Sequence, residues 1–279
     1  MSNLSRRTFL GASALSLVAR RLPAAPLGLP IGCQTYPVRE ALGKDIPGTL
    51  KQLASIGYRM IEMCSPPGYE RGGYAPFLKY KGSELRQIIK DAGLGCESCH
   101  YNFGELKNNL DERIAFAKDL GLKQMIVASL GLRREASMSD WMKACDDLNR
   151  IGEQTLKAGL QTGFHNHAGE FEKIDGVLIY DQMLGKLDPK LVKMQFQVSV
   201  VNMGFHAADY MNKYPGRFVS LHLQDWSASE KKQVPVGKGI VDWPKLFAAA
   251  KKGGVKNYFV ELPMDQLQPS YDYLKGLKA

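Results

Sequence analysis

Histidine is scarce in this chain, five in 279 residues, and several familiar signatures are missing altogether. No GxGxxG follows the first apolar strand, so a dinucleotide fold has no fingerprint here. No GxSxG elbow occurs, which removes the usual serine-nucleophile hydrolase. Beyond an N-terminal segment, no apolar run is long enough to cross a bilayer. The basic excess is not drawn into a stripe interleaved with aromatics. Lys231-Lys232 and Lys251-Lys252 are scattered pairs, which argues against nucleic acid as a partner. Cysteine is also sparse and odd in number: Cys33, Cys64, Cys96, Cys99 and Cys145. The spacing of Cys96 and Cys99 is CxxC, but it falls inside an expected strand, too extended to close a disulfide. With no second pair for zinc, the five are expected to be small buried residues.

What is there begins at the N-terminus. Ser5-Arg6-Arg7-Thr8-Phe9-Leu10 is a twin-arginine pattern, followed by the short apolar run GASALSLVA. Residues 1–25 read as an export signal and linker, sending the folded chain to the periplasm. Removing them takes away four arginines and no acid, so the formal charge falls from +9 to +5. Residues 26–279 are the right size for one large α/β domain.

That stretch repeats one phrase: a helical run, a glycine, then a short apolar strand. It occurs in SIGYRMIEM, DAGLGCESCH, DLGLKQMIVAS, KAGLQTGFHNH, YPGRFVSLHL and KGGVKNYFVEL. Glycine just past a helix is the expected left-handed cap, and the apolar run reads as a strand buried on both faces. Adding PIGCQTY and LVKMQFQVSV gives eight strands alternating with helices. Such alternation predicts parallel strands, and eight units predict a single closed (β/α)8 TIM barrel.

In such a barrel the chemistry sits at the carboxyl ends of the strands. In strand order, those ends carry Tyr36, Glu62, His100, then His165 and His167, then Gln195 and Gln197, then His222 with Asp225 and Trp226, and last Glu261. Four of the five histidines fall at this rim, and His206 follows strand six. The phrase GFHNHAGEF is the densest part. In a strand, His165 and His167 share one face, and a buried face carries two imidazoles only when something bonds them. His222 and Glu261 are expected to serve a ligand. Glu62 and His100 are expected either to meet substrate hydroxyls or to form a satisfied polar network, His167 and Gln195 to meet the substrate, and Tyr36 and Trp226 to wall a sugar ring. Asp225 is expected to contact the substrate, to orient a ligand or to cap a turn. Lys238, in Gly237-Lys238-Gly239, lacks the Walker spacing and is expected on a turn over the pocket, with Asp242 capping the next helix.

These residues, with CQTYPVRE, LASIGYRMIEM, HNHAGEF, YPGRFVSLHLQD and VPVGKGIVDWPKLFAAAKKGGVKNYFVEL in that order, resemble the xylose-isomerase-like barrels of the sugar phosphate isomerase/epimerase type. The resemblance implies a divalent metal held at the ends of strands five to eight, with glutamates that move protons beside a sugar carbonyl. Carried across, it makes His165, Gln197, His222 and Glu261 the metal set, with Glu261 and His165 as base and acid. It also exposes a departure. Strand six of the family reads Glu-x-Asp, and here the same positions are Gln195 and Gln197. One carboxylate with imidazoles suits zinc, iron(II) or manganese better than magnesium.

The expected function is therefore proton abstraction beside the carbonyl of a sugar or keto-sugar, giving isomerisation or epimerisation. The alternatives are a lyase or hydrolase acting on keto-glycosides, and a degenerate barrel that binds carbohydrate without turning it over. The expected partner is a small sugar, with self-association left open and no stable membrane insertion.

Overall fold

A computed structural model describes residues 25–277, and the twin-arginine segment lies outside them. The eight expected strands are all present. They are β1 (Gly32–Gln34), β2 (Met60–Cys64), β3 (Gly95–Tyr101), β4 (Gln124–Val127), β5 (Gln161–His165), β6 (Val192–Gln197), β7 (Phe218–Leu223) and β8 (Asn257–Val260). Every neighbouring pair is parallel, and β1 closes on β8 to complete the barrel.

Helices follow the strands. α1 (Arg39–Lys44) and α2 (Ile46–Ile56) follow β1, α3 (Gly82–Asp91) follows β2, α4 (Phe103–Leu120) follows β3 and α5 (Met138–Lys157) follows β4. Then come α6 (Ile179–Lys186), α7 (Ala207–Lys213), α8 (Trp243–Gly253) and α9 (Met264–Gly276). Short polar side chains start several of them: Asp45, Asn102 and Ser137 each accept a backbone N–H of the first turn. Asp242 does the same for α8, accepting from Lys245 at 3.0 Å as its spacing implied. The glycine in each repeated phrase has a positive φ, from Gly57 at 127° to Gly254 at 74°, a region where a side chain is strained.

Two antiparallel hairpins interrupt the alternation, both at the rim. Lys173–Ile174 pairs with Val177–Leu178 after β5, and Asp225–Ser227 pairs with Lys232–Val234 after β7. Among the described residues no helix is long and apolar enough to cross a membrane. All five cysteines are free, four of them buried and Cys96 half-buried.

The interior of the barrel is layered by strand parity. Asn257 Nδ2 donates to Gln124 Oε1 across the lower layer at 3.0 Å. Gly163 occupies the inward position of β5 just below His165. A Cβ there would lie 2.4 Å from Ile126 Cδ1, so only glycine leaves the space filled without a clash. The register slips once between Ile61 and Glu62 against β3, and once between Met194 and Gln195 against β7. Each slip lies directly under a site residue and re-aims the residues that follow it.

Candidate active site

Residues two apart on a strand point the same way, so Gln195 and Gln197 both face the barrel interior at two heights. Lower down, Gln195 joins a cluster centred on Glu62, which is fully buried. Glu62 Oε1 accepts from Ser98 Oγ at 2.5 Å and from Gln195 Nε2 at 2.8 Å. Its Oε2 accepts from Gln34 Nε2 at 2.8 Å and meets His222 Nε2 at 2.5 Å and His100 Nε2 at 3.1 Å. Burial alone would raise its carboxyl, but the charges and hydrogen bonds of His100 and His222 hold it well below the usual range.

This cluster fixes both rings. A carboxylate accepts and never donates when ionised, so His222 must donate through Nε2. His100 Nε2 faces Glu62 Oε2 and also Gln195 Oε1 at 2.7 Å, two acceptors, so it too donates. The Gln195 amide is oriented by its own donations to Glu62 and to Ser220 Oγ at 2.9 Å. Both imidazoles thus spend Nε2 on one buried carboxylate and turn Nδ1 away from it. The rings stack 14° from parallel with centroids 4.9 Å apart. Glu62 and Gln195, expected to touch substrate, are instead sealed beneath the rim as the anchor of these rings.

Above them lies His165, 1% exposed, with both ring nitrogens lacking any partner. An orphaned buried imidazole is costly unless a ligand answers it. Its centroid is 4.4 Å from that of His222 and 4.9 Å from that of His100. Burial first, and then the neighbouring imidazoles, hold it well below the ordinary histidine range, so it is neutral with a lone pair to offer.

Glu261 ends β8 at the same level, its side chain 14% exposed. Gln197 Nε2 and Gln224 Nε2 donate to its Oε2, the latter at 2.9 Å, and His222 Nδ1 lies 3.2 Å from the same oxygen. All three engage Oε2, which leaves Oε1 for a substrate. Burial raises the Glu261 carboxyl, but His222 above all reverses this, and the group lies below its usual value. His222 is pulled down by burial and pushed up more strongly by Glu261 and Glu62, to about 9. Gln197, expected as a metal ligand, has its carbonyl oxygen 3.4 Å from the Ser199 N–H and its amide on Glu261. It orients the glutamate.

The remaining expected residues divide. His167 is exposed and sits edge-on to His165 with centroids 4.7 Å apart. Tyr36 is 37% exposed after β1, with the Arg39 guanidinium 4.3 Å over its ring. Trp226 is half-buried on the hairpin after β7. Asp225 takes the structural one of its expected roles, not the substrate contact. It accepts from the N–H groups of Trp226, Gly237 and Val241 and from Trp243 Nε1, at 2.9 to 3.1 Å. Both its oxygens hold the 235–243 loop, so it has none left for a sugar. Lys238 lies exposed in that loop, with its N–H on the Pro235 carbonyl at 3.0 Å. Glu170 is buried and accepts the His167 N–H at 2.7 Å, and burial lifts it to about 7 against that bond.

Two residues escaped the sequence reading: Ser98 and Gln224. Ser98 shares the strand parity of His100, a signal that was available. Gln224 follows β7 without any distinguishing pattern, and Asn166, within the HNH phrase, accepts the Gln197 N–H on its Oδ1 at 3.1 Å.

The donor set fits a divalent ion. One nitrogen from each of His100, His165 and His222 lies within 4.8 Å of the other two, all three residues are buried, and Glu261 Oε2 lies 3.2 Å from His222 Nδ1. Imidazoles with a carboxylate nearby suit zinc, iron(II) or manganese, and Nε2–H donation to Glu62 is the outer bond that such ligands use. His100, expected among the substrate contacts, belongs with the two other histidines.

A family profile described as a xylose isomerase-like TIM barrel matches residues 50–278. The inosose dehydratase of Geobacillus thermodenitrificans is 24% identical over 177 residues, 52% of this chain and 58% of that one. The chain thus spans a little over half the length of that curated relative. A sugar phosphate isomerase/epimerase from Parabacteroides distasonis superposes with a TM-score of 0.76 at 26% identity, over 88% of this chain and 93% of the other. D-Psicose 3-epimerase from Clostridium cellulolyticum, solved with D-tagatose, gives 0.61 at 13% identity over 88% and 96%, a likeness of fold alone.

Proposed function

The chain belongs to the xylose isomerase-like TIM-barrel family, and on that premise we propose that it takes a proton from the carbon beside the carbonyl of a keto-sugar. The observation that carries this reading is His165, a neutral buried imidazole with two unanswered nitrogens, packed on His222, which in turn lies 3.2 Å from a glutamate with one free oxygen. Zinc, iron or manganese held by His100, His165 and His222 would polarise the carbonyl and so acidify the neighbouring C–H.

The chain's own residues do the rest. Glu261 Oε1 receives the proton while Gln197 and Gln224 hold Oε2. We leave His165 to the ion, because burial and its imidazole neighbours hold it neutral with a lone pair rather than a proton to give. We assign the acid role to the exposed His167 beside it, where the charge of Glu261 opposes the lowering by burial. Return of the proton to the adjacent carbon gives an isomer, and return to the opposite face gives an epimer. Departure of a hydroxyl from the next carbon instead gives dehydration, the chemistry named by the curated relative. Export belongs to the same proposal. A chain carried to the periplasm would meet a free or glycoside-derived keto-sugar.

Two measurements test this. Elemental analysis of protein purified without chelators is expected to find near one equivalent of zinc, iron or manganese, lost in His222→Ala. Proton NMR in D2O is expected to show deuterium entering a keto-sugar beside its carbonyl. Metal-free protein that binds sugar without exchange would instead make this a carbohydrate-binding barrel.

A further inference from the structure

Beside the rim lies a cleft of about 480 Å³ that shares His167 with the site, large enough for a further substrate group. Two elements of different origin bring cations to it. The loop from β4 to α5 supplies Arg133 and Arg134, and the hairpin after β5 supplies Lys173. That hairpin turns through Asp175 and Gly176, both at positive φ, 50° and 79°, the tight two-residue turn that fixes its strands.

None of the three cations has a carboxylate within 4.0 Å among the described residues. Two acids also line the cleft. Glu172 is exposed and pairs with none of them, and Glu170 is buried with Oε2 turned onto the His167 backbone. One wall is Trp141, half-buried, an aromatic surface of the kind on which a sugar ring packs. Cations, an aromatic wall and a reacting centre thus adjoin one another.

We propose that this cleft binds a negatively charged group, a carboxylate or a phosphate, carried by the sugar whose carbonyl end lies at the histidine rim. Arginine's planar fork matches either oxyanion, and Lys173 adds a point charge from a second element. The inference rests on the rim being the reacting centre, and it narrows the substrate class to acidic sugars.

Calorimetric binding of D-glucuronate, D-glucose 6-phosphate and D-glucose to the metal-loaded chain tests it, with metal content measured alongside. At least one of the two acids is expected to bind ten-fold or more tightly than glucose. Arg133→Ala/Arg134→Ala and, as a gentler variant, Arg133→Gln/Arg134→Gln should erase that advantage, and Lys173→Ala should reduce it. Metal content should stay unchanged in all three. An advantage for glucuronate alone identifies a carboxylate, and one for the phosphate alone identifies a phosphate. Equal binding of the three sugars, or an advantage that survives both arginine variants, overturns the subsite. Failure of the rim reading shows separately, as absence of metal in the unmodified chain.

Discussion

Two clusters one layer apart are built from the same kinds of side chain, and they behave oppositely. Below, Glu62 is ringed by Gln34, Ser98, Gln195, His100 and His222, and every one of its acceptor sites is answered. Above, Glu261 meets Gln197, Gln224 and His222 through a single oxygen, while His165 meets nothing. Glutamate, glutamine and histidine therefore do not declare a function by type. Satisfaction does. A buried network with all partners present is a scaffold, whereas the same groups left short of partners are held ready for something that arrives later. His222 bridges the two, with Nε2 in the lower cluster and Nδ1 facing the upper.

The sharpest way to break this contrast is to remove one member of each layer. His165→Ala is expected to cut bound metal to less than about a tenth of an equivalent by elemental analysis. Its fold should persist, because the imidazole makes no hydrogen bond that would be lost. Full metal retention would mean that the upper cluster is only unsatisfied core. Glu62→Gln should act in the opposite manner. Taking the charge from a buried, paired carboxylate is expected to cost about 3–5 kcal/mol in urea unfolding. Metal affinity should also fall ~10–100-fold as both rings lose their anchor. A variant as stable as the parent would remove the scaffold role.

Glu170 gives a smaller effect with a definite sign. Its folded value of about 7 exceeds the ordinary 4.5, so the folded chain keeps this proton where the unfolded chain releases it. Stability from this group is complete below pH 4.5 and is lost as pH rises towards 7, by up to ~3 kcal/mol. Thermal unfolding across that window should show the slope, and Glu170→Gln should flatten it. Asp225→Asn is expected to loosen the 235–243 loop by about 1–3 kcal/mol without altering metal content. Smallest is Gln197→Asp, which returns a carboxylate to the rim. It should tighten metal binding by ~1.4 kcal/mol, a tenfold change, in a competition titration.

The barrel was legible in the chain because its signals are local. Glycine caps, short apolar runs and the spacing of helices repeat every unit, and each depends on residues a few positions apart. The rim was legible for a related reason: strand ends follow from strand positions, so His100, His165, His222 and Glu261 could be placed together before any distance was known. The roles of Gln195, Glu62 and Asp225 were not decidable from the chain because they depend on partners 133, 160 and 18 residues away. Strand parity shows that a side chain points inward, but not at which height, and the two register slips set that height.

The sequence by itself determined the fold, the eight strand ends and the scarcity of acids at the rim. Only the tertiary structure decided which glutamate is buried beneath two imidazoles and which is left with a free oxygen. The reason is that hydrogen-bond satisfaction is a property of neighbours in space, and in a closed barrel those neighbours come from opposite ends of the chain.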